Sequence, residues 1–268
     1  MSQAAIIQMC SGPDREANFL EASRLMTQGV EQGAGLLVLP ECFSLMGRSD
    51  EERFAGREEV DDSPSLRFLQ SFAARHGVWI VGGSISISSP GTNKATNSSF
   101  VVDSLGDIKA RYDKIHLFDA NIGDKKPYHE STSIQAGDKP VVVDTPFGRI
   151  GLSICYDLRF PELYRKLTAM GATIITVPSA FTVSTGMVHW ELLLRARAVE
   201  NLCYVLAPGQ DGKHPGGRRT YGNSMIVEPW GSVISRSPDG PGVALAEIEP
   251  KRITDARNKI PCLKYLSS

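Results

Sequence analysis

Short apolar runs alternate along the first third of the chain with segments whose apolar positions recur every three or four residues. Ala4 to Met9, Leu36 to Leu39 and Val78 to Ile87 read as strands. Between them, Asp14 to Gln32 and Ser65 to Arg75 carry the helical period. Strands alternating with helices are the signature of an α/β protein.

The middle of the chain departs from this pattern. Asn97 to Asp103 and Ile108 to Tyr112 flank Ser104-Leu-Gly-Asp107 and predict a hairpin, and Val141 to Val143 and Arg149 to Ile154 do the same around Thr145-Pro-Phe-Gly148. There follow a helix at Pro161 to Met170, a strand at Thr173 to Val177, a helix at Val188 to Asn201 and a strand at Leu202 to Leu206. The hairpin theme returns with Ser224 to Val227, Ser232 to Ser235 and Val243 to Ile248, separated by Pro229-Trp-Gly231 and Pro238-Asp-Gly240. Parallel and hairpin strands together imply two sheets rather than one doubly wound sheet. The helix from Val188 gathers Trp190, Leu193, Leu194 and Ala198 on one face, suited to the core or to a subunit contact.

Two connections lack a clear pattern, Cys42 to Pro64 and Phe118 to Pro140. Long irregular loops in a compact domain are often functional, and each of these follows a candidate catalytic residue, so both are expected to wall the active site.

With 268 residues and 41% apolar content the chain can bury one large core, and without a composition break one domain over 1–268 is expected. A net charge of −1 offers no pull towards nucleic acid or an anionic membrane. Met1 to Gln8 has no basic leader and too short an apolar run for a signal peptide or a span, so a cytoplasmic protein is expected. The five cysteines are scattered, with no Cys-x-x-Cys spacing, which argues against a disulfide framework or a zinc site. No metal and no cofactor are expected.

The chemistry comes from three separated residues. Cys155 follows a predicted buried strand and precedes a predicted helix, the place where open α/β sheets hold ligands. Backbone N–H groups there are expected to lower its thiol pKa and make it a nucleophile. Glu41 closes a strongly apolar strand at the edge of the core and is the candidate base. Lys114 follows another strand and is the candidate for holding a developing oxyanion, together with the backbone N–H of Tyr156. Arg159 is a candidate for a substrate carboxylate, with a structural salt bridge to Asp157 or Glu162 as the alternative. Arg218 and Arg219, in a Gly- and Pro-rich loop, read as solvent-exposed charges, although either could replace Arg159 as the carboxylate partner. His116 and His189 read as structural hydrogen bonders.

Four segments in order carry a resemblance: Leu39-Pro-Glu-Cys-Phe43, Lys114-Ile-His-Leu-Phe-Asp119, Gly151-Leu-Ser-Ile-Cys-Tyr-Asp-Leu-Arg-Phe-Pro-Glu162 and His189-Trp-Glu191. Across essentially its whole length the chain resembles the nitrilase superfamily, the carbon–nitrogen hydrolases that use a Glu-Lys-Cys triad. The resemblance implies a four-layer α-β-β-α sandwich and a small-molecule amide substrate. It also implies a homodimer or larger homo-oligomer, and a second glutamate, matched by Glu130, that keeps Lys114 charged. Val177-Pro-Ser-Ala-Phe181, Leu194-Arg-Ala-Arg-Ala-Val-Glu200 and Arg218-Arg-Thr-Tyr-Gly-Asn-Ser-Met225 look like the branch that hydrolyses deaminated glutathione. The sister ω-amidase branch, acting on α-ketoglutaramate and α-ketosuccinamate, usually has Gly where Ser179 stands. A nitrilase or a non-enzymatic binding protein are the remaining alternatives, and intact Glu41, Lys114 and Cys155 count against the latter.

Overall fold

The computed structural model describes residues 3–123, 127–237 and 239–265. Asp124 to Lys126 of the Phe118 to Pro140 connection, and Pro238 of a predicted turn, lie outside them. The chain runs β1 (Gln3–Gln8), α1 (Arg15–Glu31), β2 (Leu36–Val38), α2 (Asp50–Ala55), α3 (Pro64–His76), β3 (Trp79–Val81), β4 (Ile85–Ser88), β5 (Ala95–Val102) and β6 (Ile108–Asp113). A short ribbon, β7 (Asp119–Ala120) and β8 (Tyr128–His129), precedes β9 (Val142–Thr145), β10 (Gly148–Leu152), α4 (Pro161–Ala169), β11 (Ile174–Thr176) and α5 (Val183–Asn201). The rest comprises β12 (Tyr204–Ala207), β13 (Asp211–Lys213), β14 (Arg219–Tyr221), β15 (Ser224–Val227), β16 (Val233–Ser237), β17 (Gly242–Glu247) and α6 (Pro250–Lys259).

Two mixed sheets face each other. One has the order β17-β1-β2-β3-β5-β4 with β6 on the other edge of β5, and the other has the order β16-β15-β12-β11-β10-β9. Side-chain alternation explains the layers. Ala4, Ile6, Leu36 and Val38 point into the core between the sheets, whereas Ala5, Ile7, Leu37 and Leu39 pack under α1 and α3. Leu36 to Leu39 has no polar position because both of its faces are covered. Across the second sheet, Leu163 and Leu167 of α4 and Trp190, Leu194 and Ala198 of α5 complete the core. The result is the expected α-β-β-α sandwich. The apolar face of the predicted Val188 helix thus serves the core, and the opposite face leaves Met187, Val188 and Leu192 exposed.

Local signals place the ends. The Asp14 side chain accepts the Ala17 N–H at 3.1 Å to start α1, and Ser63 caps α3, which ends at Gly77 in the left-handed region. The predicted strand Val78 to Ile87 divides into β3 and β4 at Gly82-Gly83. Gly83 has φ +54°, and a Cβ there would lie 2.1 Å from the Pro40 oxygen, so only glycine lets the two segments cross beside Glu41. The predicted third hairpin strand, Val243 to Ile248, instead crosses to the first sheet as β17 and pairs antiparallel with β1. Its two faces are both apolar: Ala244 enters the inter-sheet core and Val243 and Leu245 lie against the α1 side, which the edge beside β16 could not cover.

Three elements carry too little apolar signal to be read from the chain. Helix α2 is short and charged and lies inside the Cys42 to Pro64 connection; Ile253 and Ala256 are the buried positions of α6. The β13–β14 hairpin is polar and Gly-rich. Among the described residues no helix is long and apolar enough to cross a membrane.

Candidate active site

The carboxyl ends of β2, β6 and β10 converge at one end of the sandwich, at the seam between the sheets. Pro40 ends the pairing of β2 and Glu41 follows, its backbone oxygen held by the Gln210 side chain at 3.0 Å. Lys114 directly follows β6; its N–H donates to the Asn97 oxygen at 2.9 Å and its own oxygen accepts the Gly137 N–H at 2.9 Å. Cys155 stands just past β10 with φ 47°, a left-handed conformation that costs a non-glycine residue about 1–3 kcal/mol. Its N–H is tied to the Pro178 oxygen at 2.9 Å.

At this seam the protein buries a charge cluster. The Lys114 ammonium, 1% exposed, donates to Glu41 Oε1 at 3.0 Å and to Glu130 Oε2 at 2.9 Å. Asn97 Nδ2 bridges the same carboxylates, at 3.0 Å to Glu41 Oε1 and 3.3 Å to Glu130 Oε1, and the Phe118 N–H donates to Glu130 Oε2 at 2.6 Å. Burial opposes the charge on Lys114, but Glu130 and then Glu41 outweigh it and hold the ammonium above its ordinary pKa. Burial likewise opposes ionisation of Glu130, and Lys114 and Arg53 overcome it, holding that carboxyl below the usual range. The ammonium therefore stays charged in its buried place.

The thiol differs from expectation. Burial, reinforced by the neighbouring Glu41 carboxylate, pushes Cys155 well above the ordinary thiol value, against the lowering by Lys114 and by the Ala180 N–H. The residues after it contribute to this: Cys155–Arg159 forms a 3-10 turn, and α4 begins only at Pro161, so the helix that follows does not start at the thiol. At rest the residue is held as a thiol, with the Glu41 carboxylate as its neighbour in the cleft. Such a pair can form a thiolate as the proton crosses to the carboxylate.

Asp157, fully buried, locks the two sheets together behind the site. Its Oδ2 accepts from the Tyr112 hydroxyl at 2.7 Å and the Ile154 N–H at 2.8 Å, and its Oδ1 from the His116 N–H at 3.0 Å and His116 Nδ1 at 2.7 Å. One carboxylate thus couples the segment bearing Lys114 to the turn bearing Cys155. Asp157 is consequently no partner for Arg159. The Arg159 guanidinium instead lies 3.4 Å from His189 Nδ1 and over the Tyr156 and Phe181 rings at 5.9 and 5.4 Å, with no ion pair to Asp157 or Glu162. Among the described residues the Tyr156 N–H meets no backbone acceptor outside its own turn.

The cleft over Cys155, open to solvent, spans about 390 Å³ beside Glu41, Lys114 and Glu130 and about 240 Å³ on the Arg159 side. Both expected wall segments contribute: Arg53 of α2 from one, Phe118, Tyr128 and His129 from the other. Arg219 is exposed as read, but Arg218 is half-buried and borders the cleft, its Nη2 bound to the Ala180 oxygen at 2.8 Å. The β13–β14 hairpin, invisible in the sequence, carries it there. Asn97 was also missed; the signal was a strand, Ala95–Val102, buried throughout yet polar at Thr96-Asn-Ser-Ser99. Ser179, read from the resemblance as the mark of one branch, donates to the Val177 oxygen at 3.0 Å rather than facing the cleft.

Two mixed sheets packed face to face under outer helices, with a buried thiol, carboxylates and ammonium at the strand ends, define a hydrolase of the nitrilase type. The carbon-nitrogen hydrolase family matches residues 3–258, and the chain belongs to that family. It is 43% identical to a deaminated glutathione amidase of Synechocystis sp. over 98% of this chain and 97% of that protein. The structure superposes on yeast (Saccharomyces cerevisiae) Nit3, a member of branch 10 of the nitrilase superfamily, with a TM-score of 0.88 at 32% identity, over 97% of this chain and 94% of that one. For the NitFhit protein of C. elegans the TM-score is 0.91 at 37% identity; 98% of this chain matches, spanning 64% of that longer protein.

Proposed function

We propose that this protein is a metal-free cysteine amidase acting on deaminated glutathione, releasing α-ketoglutarate and cysteinylglycine in a metabolite-repair reaction. The observation that carries the chemistry is the meeting of Cys155 and Glu41 in one cleft beside the buried Lys114 ammonium, which lies 3.0 Å from Glu41 Oε1. The substrate reading draws on the relatives of that name, at 43% identity in Synechocystis sp..

Cys155 passes its proton to Glu41 as the sulfur attacks the amide carbon. The carbonyl oxygen becomes negative against Lys114 Nζ and the Tyr156 N–H. When the tetrahedral adduct collapses, the carbon–nitrogen bond breaks and Glu41 returns the proton to the departing amine. A thioester remains. Glu41 then takes a proton from the attacking water, the second adduct expels the sulfur, and the proton goes back to Cys155. Glu130 holds Lys114 charged and in place throughout. Arg159 binds the keto-acid carboxylate of the acyl part, its guanidinium having no carboxylate partner in the protein among the described residues. A nucleophilic thiol suits a reducing compartment, and we place the protein in the cytoplasm.

The test compares cysteinylglycine release from deaminated glutathione with ammonia release from α-ketoglutaramate. A higher kcat/KM on the former is expected. A clear preference for α-ketoglutaramate would make the protein an ω-amidase, and inactivity on both would remove this substrate class.

A further inference from the structure

The cleft divides at Cys155 into two lobes of different chemistry. One contains Glu41 and Lys114 and is walled by Tyr128, His129 and Arg218. The other contains Arg159 with Phe181, Thr182 and Thr185; Arg218 borders it too, but Glu41 does not. A carbonyl carbon attacked by Sγ carries two substituents that point apart, so each must enter a different lobe. The nitrogen substituent has to lie beside Glu41, because that carboxylate supplies the proton without which the amine cannot leave. The acyl chain is then directed towards Arg159.

We propose that the Glu41 lobe is a subsite for the departing amine and that Arg218 reads a carboxylate on it, so the site selects amides with an acidic group on each side of the scissile bond. This rests on the amidase reading of Cys155 and Glu41. Four observations single out Arg218. Its Nη2 is anchored on the Ala180 oxygen at 2.8 Å, which fixes the guanidinium at the junction of the lobes. The guanidinium carbon stands 5.6 Å from the centre of the Tyr128 ring, a flat partner that orients it. Its Nε reaches no acceptor although it is shielded from solvent, and no carboxylate pairs with the residue among those described. Arg53 borders the same lobe and its Nε is shielded in the same way, but it has a partner within the protein, and its charge also acts on Glu130. A planar guanidinium with unfilled donors, held rigid beside the leaving-group position, is suited to a carboxylate.

Cysteinylglycine carries such a carboxylate and ammonia carries none, so the two substrates separate the lobes. Wild-type protein, Arg218→Ala and Arg159→Ala are compared on deaminated glutathione, on α-ketoglutaramate and on deaminated glutathione whose glycine carboxylate is amidated. Thermal melts identify any variant that fails to fold, and Arg218→Lys then replaces it, keeping the charge while losing the planar fork. Arg218→Ala is expected to lose about tenfold more kcat/KM on deaminated glutathione than on α-ketoglutaramate, mainly through KM, the size of one charge-assisted hydrogen bond. Arg218→Lys is expected to lose in the same direction by a smaller factor. The amidated substrate should show the same loss with wild type and little further loss with either variant. Arg159→Ala should damage all three substrates alike. Equal losses on the first two substrates, or none, with either Arg218 variant would overturn the subsite while leaving the amidase reading intact. Wild-type failure on deaminated glutathione would overturn the substrate reading itself, and the subsite with it.

Discussion

The two walls of the cleft are built on opposite principles. On one wall Glu41, Lys114 and Asn97 of the first sheet and Glu130 of the turn after the β7–β8 ribbon satisfy one another so completely that a lysine can be buried to 1% exposure and stay charged. On the other wall Cys155, past the end of β10, sits in a strained left-handed conformation, and among the described residues the Tyr156 N–H meets no backbone acceptor outside its own turn and Arg159 and Arg218, the latter on the β13–β14 hairpin, lack carboxylate partners. The first wall is pre-organised before substrate arrives, which suits electrostatic stabilisation of a developing charge. The second keeps its donors open. Asp157 joins them and holds the thiol at a fixed distance from the ammonium.

The sharpest break in this contrast is Cys155→Ala, which deletes the covalent step while leaving the first wall intact. Turnover should fall by more than about 10⁴-fold, with the melting temperature shifted by only a few degrees, because little volume is removed. Residual activity of a few per cent in a steady-state assay would show that another group attacks.

Next come the two glutamates, both buried and both bonded to Lys114. Glu41→Gln cannot take the thiol proton and should lower kcat by about 10³- to 10⁴-fold, with no acyl-enzyme visible by mass spectrometry. Glu130→Gln only loosens the ammonium and should cost about 10²-fold. An acylated Glu41→Gln protein would move the base to Glu130.

Arg159→Lys tests the open wall. Losing the planar fork should raise KM for a keto-acid amide about tenfold and leave an uncharged amide little affected. Equal damage to both would give Arg159 a structural role against His189.

The smallest effect is on stability. Glu130 has its folded pKa depressed, so its contribution is present above the unfolded carboxylate value, about 4.3, and is lost as pH falls from there through the folded value. The melting-temperature gap between wild type and Glu130→Gln should therefore shrink as the pH falls below about 5. A gap independent of pH would mean that the carboxylate is not held by Lys114.

Much of this protein is local. Apolar runs, helical periods and capping residues such as Asp14 and Ser63 are set by neighbours in the chain, and they define the strands, the helices and the α/β class. Glu41, Lys114 and Cys155 were legible because each stands just past a strand end within a distinctive segment. Tertiary structure alone decided the rest. It sent β17 to the first sheet, because only there are both of its apolar faces covered. It raised the Cys155 pKa, because burial and a carboxylate brought from far along the chain outweigh the Lys114 ammonium and the Ala180 N–H. It also carried Arg218 to the cleft on a hairpin with no hydrophobic pattern, and gathered Asn97 and Asp157 into buried networks. Such roles depend on which distant groups come within a few ångströms of a side chain, and no local period in a sequence encodes that distance.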